Sequence, residues 1–239
     1  MGVLTLRRPT FPLTLPRFAG HLHALGLRQT VDVLAEQLWY TKRFFGLRCE
    51  LAALPDVRAA KIPIAMEPVD PGSFAGFDDE LERASGSDYV QVLLRQRLCQ
   101  DGVSSLYVAS DPNGRPIYAQ WLTSATEQDA IHAHAPGRYP QLGDDEVLLE
   151  GAYTFSEFRQ LGAMRDGMAQ LLRIAASEGA RAAFTYVEAH NVPSLRGCEN
   201  VGFAPDHLRA SIRRLGLRRG TMRSLRDDER TLWARATAR

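Results

Sequence analysis

A chain of 239 residues that is 45% hydrophobic and 24% charged has enough apolar surface for a core of its own and the polar balance of a globular protein. Its formal net charge of +1 gives no overall pull toward nucleic acid, and no apolar run approaches the roughly 20 residues needed to cross a bilayer. Cys49, Cys99 and Cys198 are far apart and in no metal-ligand spacing, so they read as reduced thiols and point to a cytoplasmic protein.

The opening "MGVLTLRRPTFPLTLPRF" lacks the apolar stretch and small-residue cleavage site of a signal peptide. Val31, Leu34, Leu38 and Phe45 recur at helical spacing and predict a helix over about 27–45, with Gly46 as its stop. Residues 1–60 are then a helical appendage and linker beside a main domain over 61–239. The helix is expected to dock on that domain, although its basic-aromatic end, "YTKRFFGLR", also suits a membrane surface or a partner. From Lys61, "KIPIAMEPV" predicts a strand, and "PGSFAGFDDELERA" and "DYVQVLLRQRLCQDG" predict two helices, the second closed by Gly102. Asp111-Pro112-Asn113-Gly114 is a tight-turn sequence between two β-rich runs, hence a hairpin. Residues 126–145 predict a loop, whose stretch 126–143 is long enough to form a lid. His132 and His134 in that loop have no carboxylates beside them and do not point to a metal.

A further strand, "EVLLEGAYTF", leads into a helix marked by Met164, Met168, Leu171, Leu172 and Ala175 and ended by Gly179. "RAAFTYVEA" is a strand, Asn191 caps a short helix with Pro193 in its first turn, and "HLRASIRRLGLRR" is a last strand before a basic tail from about 218. Strand, helix, helix, hairpin, strand, helix, strand, helix, strand is an α/β order on a mixed sheet.

The junction "TFSEFRQLGAMRDGMAQLL" carries the chemistry. A strand ends, a turn holds Arg159 and Gly162, and a long helix begins, so that free backbone N–H groups and the positive end of the helix dipole face one spot. This junction resembles the acetyl-CoA-binding core of the GNAT acetyltransferase superfamily, whose pattern is Arg/Gln-x-x-Gly-x-Gly/Ala after a strand. "TFSEFR" stands where that family commonly has Val-x-Pro-x-Tyr-Arg, with Ser156 for the proline and Phe158 for the tyrosine. "EAHNVPSLRGCENVGF" matches the family's later Asn-x-x-Ser motif at Asn191 and Ser194 and its Gly-Phe at Gly202 and Phe203. Met164 departs from the Gly/Ala of the phosphate loop, and Cys198 takes the place of a tyrosine that protonates the departing thiolate. Cys198 reads as a small buried group in that tyrosine's place without its role.

The resemblance covers roughly residues 61–215 and implies that about 71–100 and 126–143 are the segments that select the substrate. It implies a mixed, mostly antiparallel central sheet flanked by helices, with the N-terminal helical extension outside it. It also implies backbone amides of Arg159, Gln160, Leu161, Gly162, Ala163 and Met164 around the pyrophosphate of acetyl-CoA or another acyl-CoA. The strands bearing Tyr153 and Phe184–Glu188 would splay, and the pantetheine would pair with backbone near Ala152–Thr154, beside Asn191 and Ser194. Glu150, on the strand entering the turn and flanked by Leu148 and Leu149, is the first candidate for the base, with Glu188 and His190 next. Tyr153 is the candidate acid or substrate-orienting group. The expected function is direct acyl transfer to the amine of a small-molecule or peptide acceptor, by a monomer or homodimer, with no specific nucleic acid. Two alternatives remain: a long acyl chain delivered by acyl carrier protein near a membrane, and a non-catalytic acyl-CoA-binding protein.

Overall fold

The structure, a computed structural model, describes residues 39–103, 105–214 and 217–238. In chain order these form β1 (Trp39–Glu50), β2 (Glu67–Val69), α1 (Gly76–Arg83), α2 (Gly86–Gln100), β3 (Leu106–Ser110), β4 (Pro116–Ser124) and α3 (Gln128–His134). There follow β5 (Glu146–Thr154), α4 (Ala163–Ser177), β6 (Ala182–Glu188), α5 (Val192–Asn200), β7 (Ala204–Arg214), β8 (Leu217–Ser224) and α6 (Asp227–Thr237). One sheet holds all eight strands in the order β2-β3-β4-β5-β6-β1-β7-β8. Neighbours are antiparallel except β5 and β6, which are parallel and joined by α4 as a crossover. This is the mixed, mostly antiparallel sheet flanked by helices that the sequence predicts.

Each face of the sheet carries its own core, because residues alternate sides along every strand. On one face Phe45, Leu47, Tyr118, Leu149, Ala183 and Val187 pack against α4, α5 and α6. On the other, Trp121, Leu148, Tyr153, Phe184 and Tyr186 pack against α1, α2 and α3. The hairpin turn forms as its sequence demands: the Asp111 carboxylate accepts the Asn113 and Arg115 N–H groups, and Gly114 takes φ +80°.

The helix expected over 27–45 is corrected where it can be seen. Its first residues, like the rest of the proposed extension up to residue 38, lie outside the described residues, but from Trp39 the chain is a strand between β6 and β7. Period-two burial decides it: Phe45, Leu47 and Cys49 are 0%, 0% and 2% exposed on one face. Gly46 stops no helix. A Cβ there would stand 2.3 Å from the His207 imidazole, which lies over the strand.

Three other expectations shift. "KIPIAMEPV" pairs only at Glu67–Val69, since Pro63 and Pro68 limit ladder pairing. Ahead of it, Gln170 of α4 acts as a substitute strand, accepting from Met66 N–H (3.0 Å) and donating to the Ile64 carbonyl (3.1 Å). Residues 126–145 contain α3 and pack as structure, with Ile131, Tyr139 and Leu142 at 1%, 5% and 5% exposure, so the segment is not a free loop. The tail forms the edge strand β8 and then α6, whose Trp233 meets Phe45 edge-on at 5.7 Å.

Candidate active site

β5 and β6 pair over three positions only, Glu146 with Ala182, Val147 with Ala183 and Leu148 with Phe184. Beyond them β6 stays with β1 as far as Glu188, whereas β5 stays with β4 as far as Thr154, so the two strands part. The parting coincides with a bulge in β5. The register with β4 skips between Ala119 and Trp121, and Gly151 takes φ +69°. A Cβ on Gly151 would come within 2.6 Å of Trp121, so both its conformation and its neighbour require glycine.

At the far end of β5 the chain turns through Gln160 (φ 63°) and Gly162 (φ 87°) into the N-terminus of α4. Two left-handed residues so close together bend the main chain sharply into the positive end of a fifteen-residue helix. Ala163 is buried, while Leu161, Gly162 and Met164 are half-buried and Gln160 is exposed. Met164 turns away from the turn and reaches α5, where a Cβ on Gly197 would lie 3.2 Å from its terminal methyl.

The Arg159 side chain is not at that turn. Its guanidinium donates to Asp88 at the start of α2 (2.7 Å), to the Tyr153 hydroxyl (3.3 Å) and to the Thr154 carbonyl (3.3 Å). The Asp88 hydrogen bond holds its pKa above the ordinary arginine value. A strip of the linker takes the space beside the turn instead. Lys61 N–H donates to the Leu161 carbonyl (2.8 Å), Ala60 N–H to the Asp166 carboxylate (2.7 Å), and Arg165 to the Arg58 carbonyl (3.2 Å). Ala60 Cα lies 3.5 Å from where a Gly162 Cβ would be.

Glu150 stands just before the bulge on the α2 side of the sheet. Its Oε1 is 4.0 Å from Arg138, and its Oε2 is buried with no hydrogen-bond partner among the described residues. The Tyr139 hydroxyl is a hydrogen-bond partner of this carboxylate, and Arg95 and Tyr186 are near enough to feel its charge. Arg95 reaches in from α2 to donate to the carbonyls of Gly151 (3.3 Å) and Ala152 (3.0 Å), and so ties down the bulge itself. Arg209 lies 4.0 Å over the Phe44 ring at the same end.

Tyr153 is 7% exposed, and its hydroxyl donates to Glu80 of α1 (2.9 Å), which also accepts from Ser156 N–H (3.1 Å). Burial first and Glu80 second push its pKa above the usual tyrosine range. Across the gap, Asn191 caps α5 by accepting from Ser194 N–H (3.3 Å), as its position after the strand predicts. Ser194 is half-buried. Glu188 pairs with His190 (3.1 Å) and Lys42 (3.6 Å), although His190 is open to solvent. Cys198 is 1% exposed, and burial pushes its thiol up to about 12, so it is a poor acid. His134 of the "HAH" run pairs with Asp101 (2.6 Å).

The structure therefore gathers Glu150, Ala152, Asn191, Ser194 and the Gln160–Met164 turn around the parting, and places Tyr153 and Arg159 in a network with α1 and α2. Arg95, Gln120 and Tyr118 are neighbours of the bulge that sequence reasoning did not single out. A polar Gln inside the apolar run "IYAQWL" is the one signal that points at them. Chemically, the arrangement offers parted strand edges, a half-buried carboxylate on β5 and, just beyond that strand, a helix N-terminus.

No protein-family model matches the chain, and no curated protein sequence does. Solved structures do match. A GCN5-related glucosamine N-acetyltransferase region of a fungal multi-domain GH3 β-N-acetylglucosaminidase covers 81% of the chain at 16% identity and a TM-score of 0.53. The chain spans 22% of that protein's length. A GNAT-family acetyltransferase from Colwellia psychrerythraea covers 91% of the chain, and 74% of its own, at 12% identity and a TM-score of 0.48. The fold is that of the GNAT acetyltransferases, and the resemblance read from the motifs holds at the level of fold. Among the described residues no helix is long and apolar enough to cross a membrane.

Proposed function

We propose that this chain is a GNAT-type N-acyltransferase that moves an acetyl or other acyl group from acyl-CoA directly to the amine of a small molecule or peptide, in the cytoplasm. The observation that carries the reading is the parting of β5 and β6 beyond Leu148 and Phe184, directly ahead of the left-handed turn at Gly162. The residues fit an acyl-CoA. Parted strand edges near Ala152–Thr154 and the Asn191 end of α5 suit the amides of a pantetheine arm, and the α4 N-terminus suits phosphate.

Glu150 takes the proton of the acceptor's ammonium, since its buried Oε2 lacks a partner. The freed amine nitrogen then attacks the thioester carbon, the C–S bond breaks, and the proton that the nitrogen sheds on becoming an amide passes through water to the departing thiolate. No enzyme acid is required for that last step, which agrees with the poor acidity of Cys198. Acyl chain length and acceptor are set by whatever lines the α1–α3 face of the gap.

A second reading is favoured by the strip 58–61, which crowds the turn and leaves the pyrophosphate less room, and by Arg159, which faces elsewhere. An acyl carrier protein would present the same pantetheine arm without the nucleotide. Calorimetric titration of the wild type and Gly162→Asp with acetyl-CoA, a long-chain acyl-CoA and free CoA separates these. Micromolar binding of acetyl-CoA that Gly162→Asp abolishes supports the proposal, and Glu150→Gln should then cut turnover at least 100-fold over an amine panel. Binding of no CoA species would sink it and leave the carrier-protein donor to be tried with an acylated carrier. CoA binding without turnover of any amine would leave a binding protein.

A further inference from the structure

Gln120 lies on β4 with its side chain 0% exposed. The Tyr118 hydroxyl donates to its Oε1 at 2.7 Å, and its Nε2 has no hydrogen-bond partner among the described residues. With Oε1 taken by the Tyr118 hydroxyl, the amide N–H2 is left facing elsewhere. A buried amide nitrogen without an acceptor weakens a fold, and such a group persists where a ligand supplies the acceptor.

Its surroundings say where that ligand lies. The β4–β5 register skips at Gln120, which therefore stands opposite Gly151 and Ala152, the bulged residues of β5. It shares a sheet face with Tyr118, whose ring packs beneath Gly167 of α4 and whose hydroxyl feels Cys198 of α5. The amide thus sits beneath the junction of α4 and α5, at the level where β5 leaves β6. On this face the bulge carries only the Ala152 methyl, half-exposed among buried neighbours.

We infer that the Gln120 amide N–H2 binds the acyl carbonyl oxygen of the thioester held in the parting of β5 and β6. The inference rests on the acyltransfer reading and applies equally to CoA and carrier-protein donors, which share the acylated pantetheine. When an amine adds to the carbonyl carbon, the π electrons of the C=O bond move to this oxygen, and the amide hydrogen bond strengthens as the charge grows. Collapse returns the electrons to carbon and expels the thiolate. Tyr118 is the positioning residue that keeps the amide nitrogen turned toward the acyl group.

The test uses Tyr118→Phe/Gln120→Met, which removes the hydroxyl and the amide together so that neither is stranded, and compares titration with acetyl-CoA and with free CoA. The expected result is about a tenfold loss of acetyl-CoA affinity with CoA affinity unchanged, while the ligand-free Tm stays level or rises. Equal acetyl-CoA affinity in both proteins would overturn the inference. So would a clear fall in ligand-free Tm, because the amide would then be satisfied inside the free protein. If the wild type binds neither acetyl-CoA nor CoA, the acyl-CoA reading fails first, visibly and separately. S-acetyl-pantetheine, compared with pantetheine, then carries the same test for the carrier-protein donor.

Discussion

Tyr153→Phe strips one donor from the Glu80 carboxylate, which is 3% exposed and is left, among the described residues, with Ser156 N–H at 3.1 Å and Arg83 at 3.6 Å. Leaving a buried acceptor short of a partner costs about 1–3 kcal/mol, so the urea midpoint of the variant should fall accordingly. Turnover should change little, because the hydroxyl points to α1. A 100-fold loss of kcat at unchanged stability would instead put the phenol in the chemistry. At this scale the sequence is legible for residues whose role is backbone geometry. Asn191 as a cap and Gly162 at a left-handed turn follow from residue type and position alone. Where a long side chain ends is not legible: Arg159 sits beside the turn in sequence and still spends its guanidinium on Asp88, 71 residues away. Tyr153 and Glu80 meet across 73 residues in the same way.

Two glycines inside helices give the element-scale prediction, one substitution with opposite outcomes. A Cβ on Gly167 of α4 would lie 2.5 Å from the Tyr118 ring, which is fully buried and pinned by Gln120. Gly167→Ala should therefore destabilise by about 1–3 kcal/mol despite alanine's better helix propensity. On Gly197 of α5 the new methyl meets the flexible end of Met164 at 3.2 Å, which can swing aside. Gly197→Ala should be neutral or stabilise by up to about 1 kcal/mol. Paired thermal melts decide it, and equal gains in both would mean the Tyr118 ring does not lie under α4. Most elements from residue 71 to 214 could be read from periodicity and turn residues. β1 could not, because its aromatic and basic residues continue an apparent helical stripe begun at Val31, and its alternation is short. What settles it is the pair of partner strands, which no local window contains.

Across the whole molecule, burial holds the protons of Tyr118, Tyr139, Tyr153 and Tyr186 more tightly than in an unfolded chain. The folded pKa values are raised, so stability is unaffected below the unfolded value of about 10 and falls as pH climbs above it. Tm should be flat between about pH 7 and 9 and drop steeply beyond 10, with tyrosinate absorbance rising together with unfolding. Tyrosinate appearing well before the structure melts would contradict the burial.

β1 lies between β6 and β7, with Phe45 facing Val187 on one side and Leu208 on the other. During synthesis at about 5–20 residues per second, it leaves the ribosome of the order of ten seconds before both partners exist. Through that interval a strand carrying Phe45, Leu47 and Cys49 has two unpaired edges and an uncovered apolar side. The nascent chain is therefore stickiest while β1 waits, and this part of the sheet closes only once β6 and β7 have emerged, which makes this strand the natural point of hold for a chaperone.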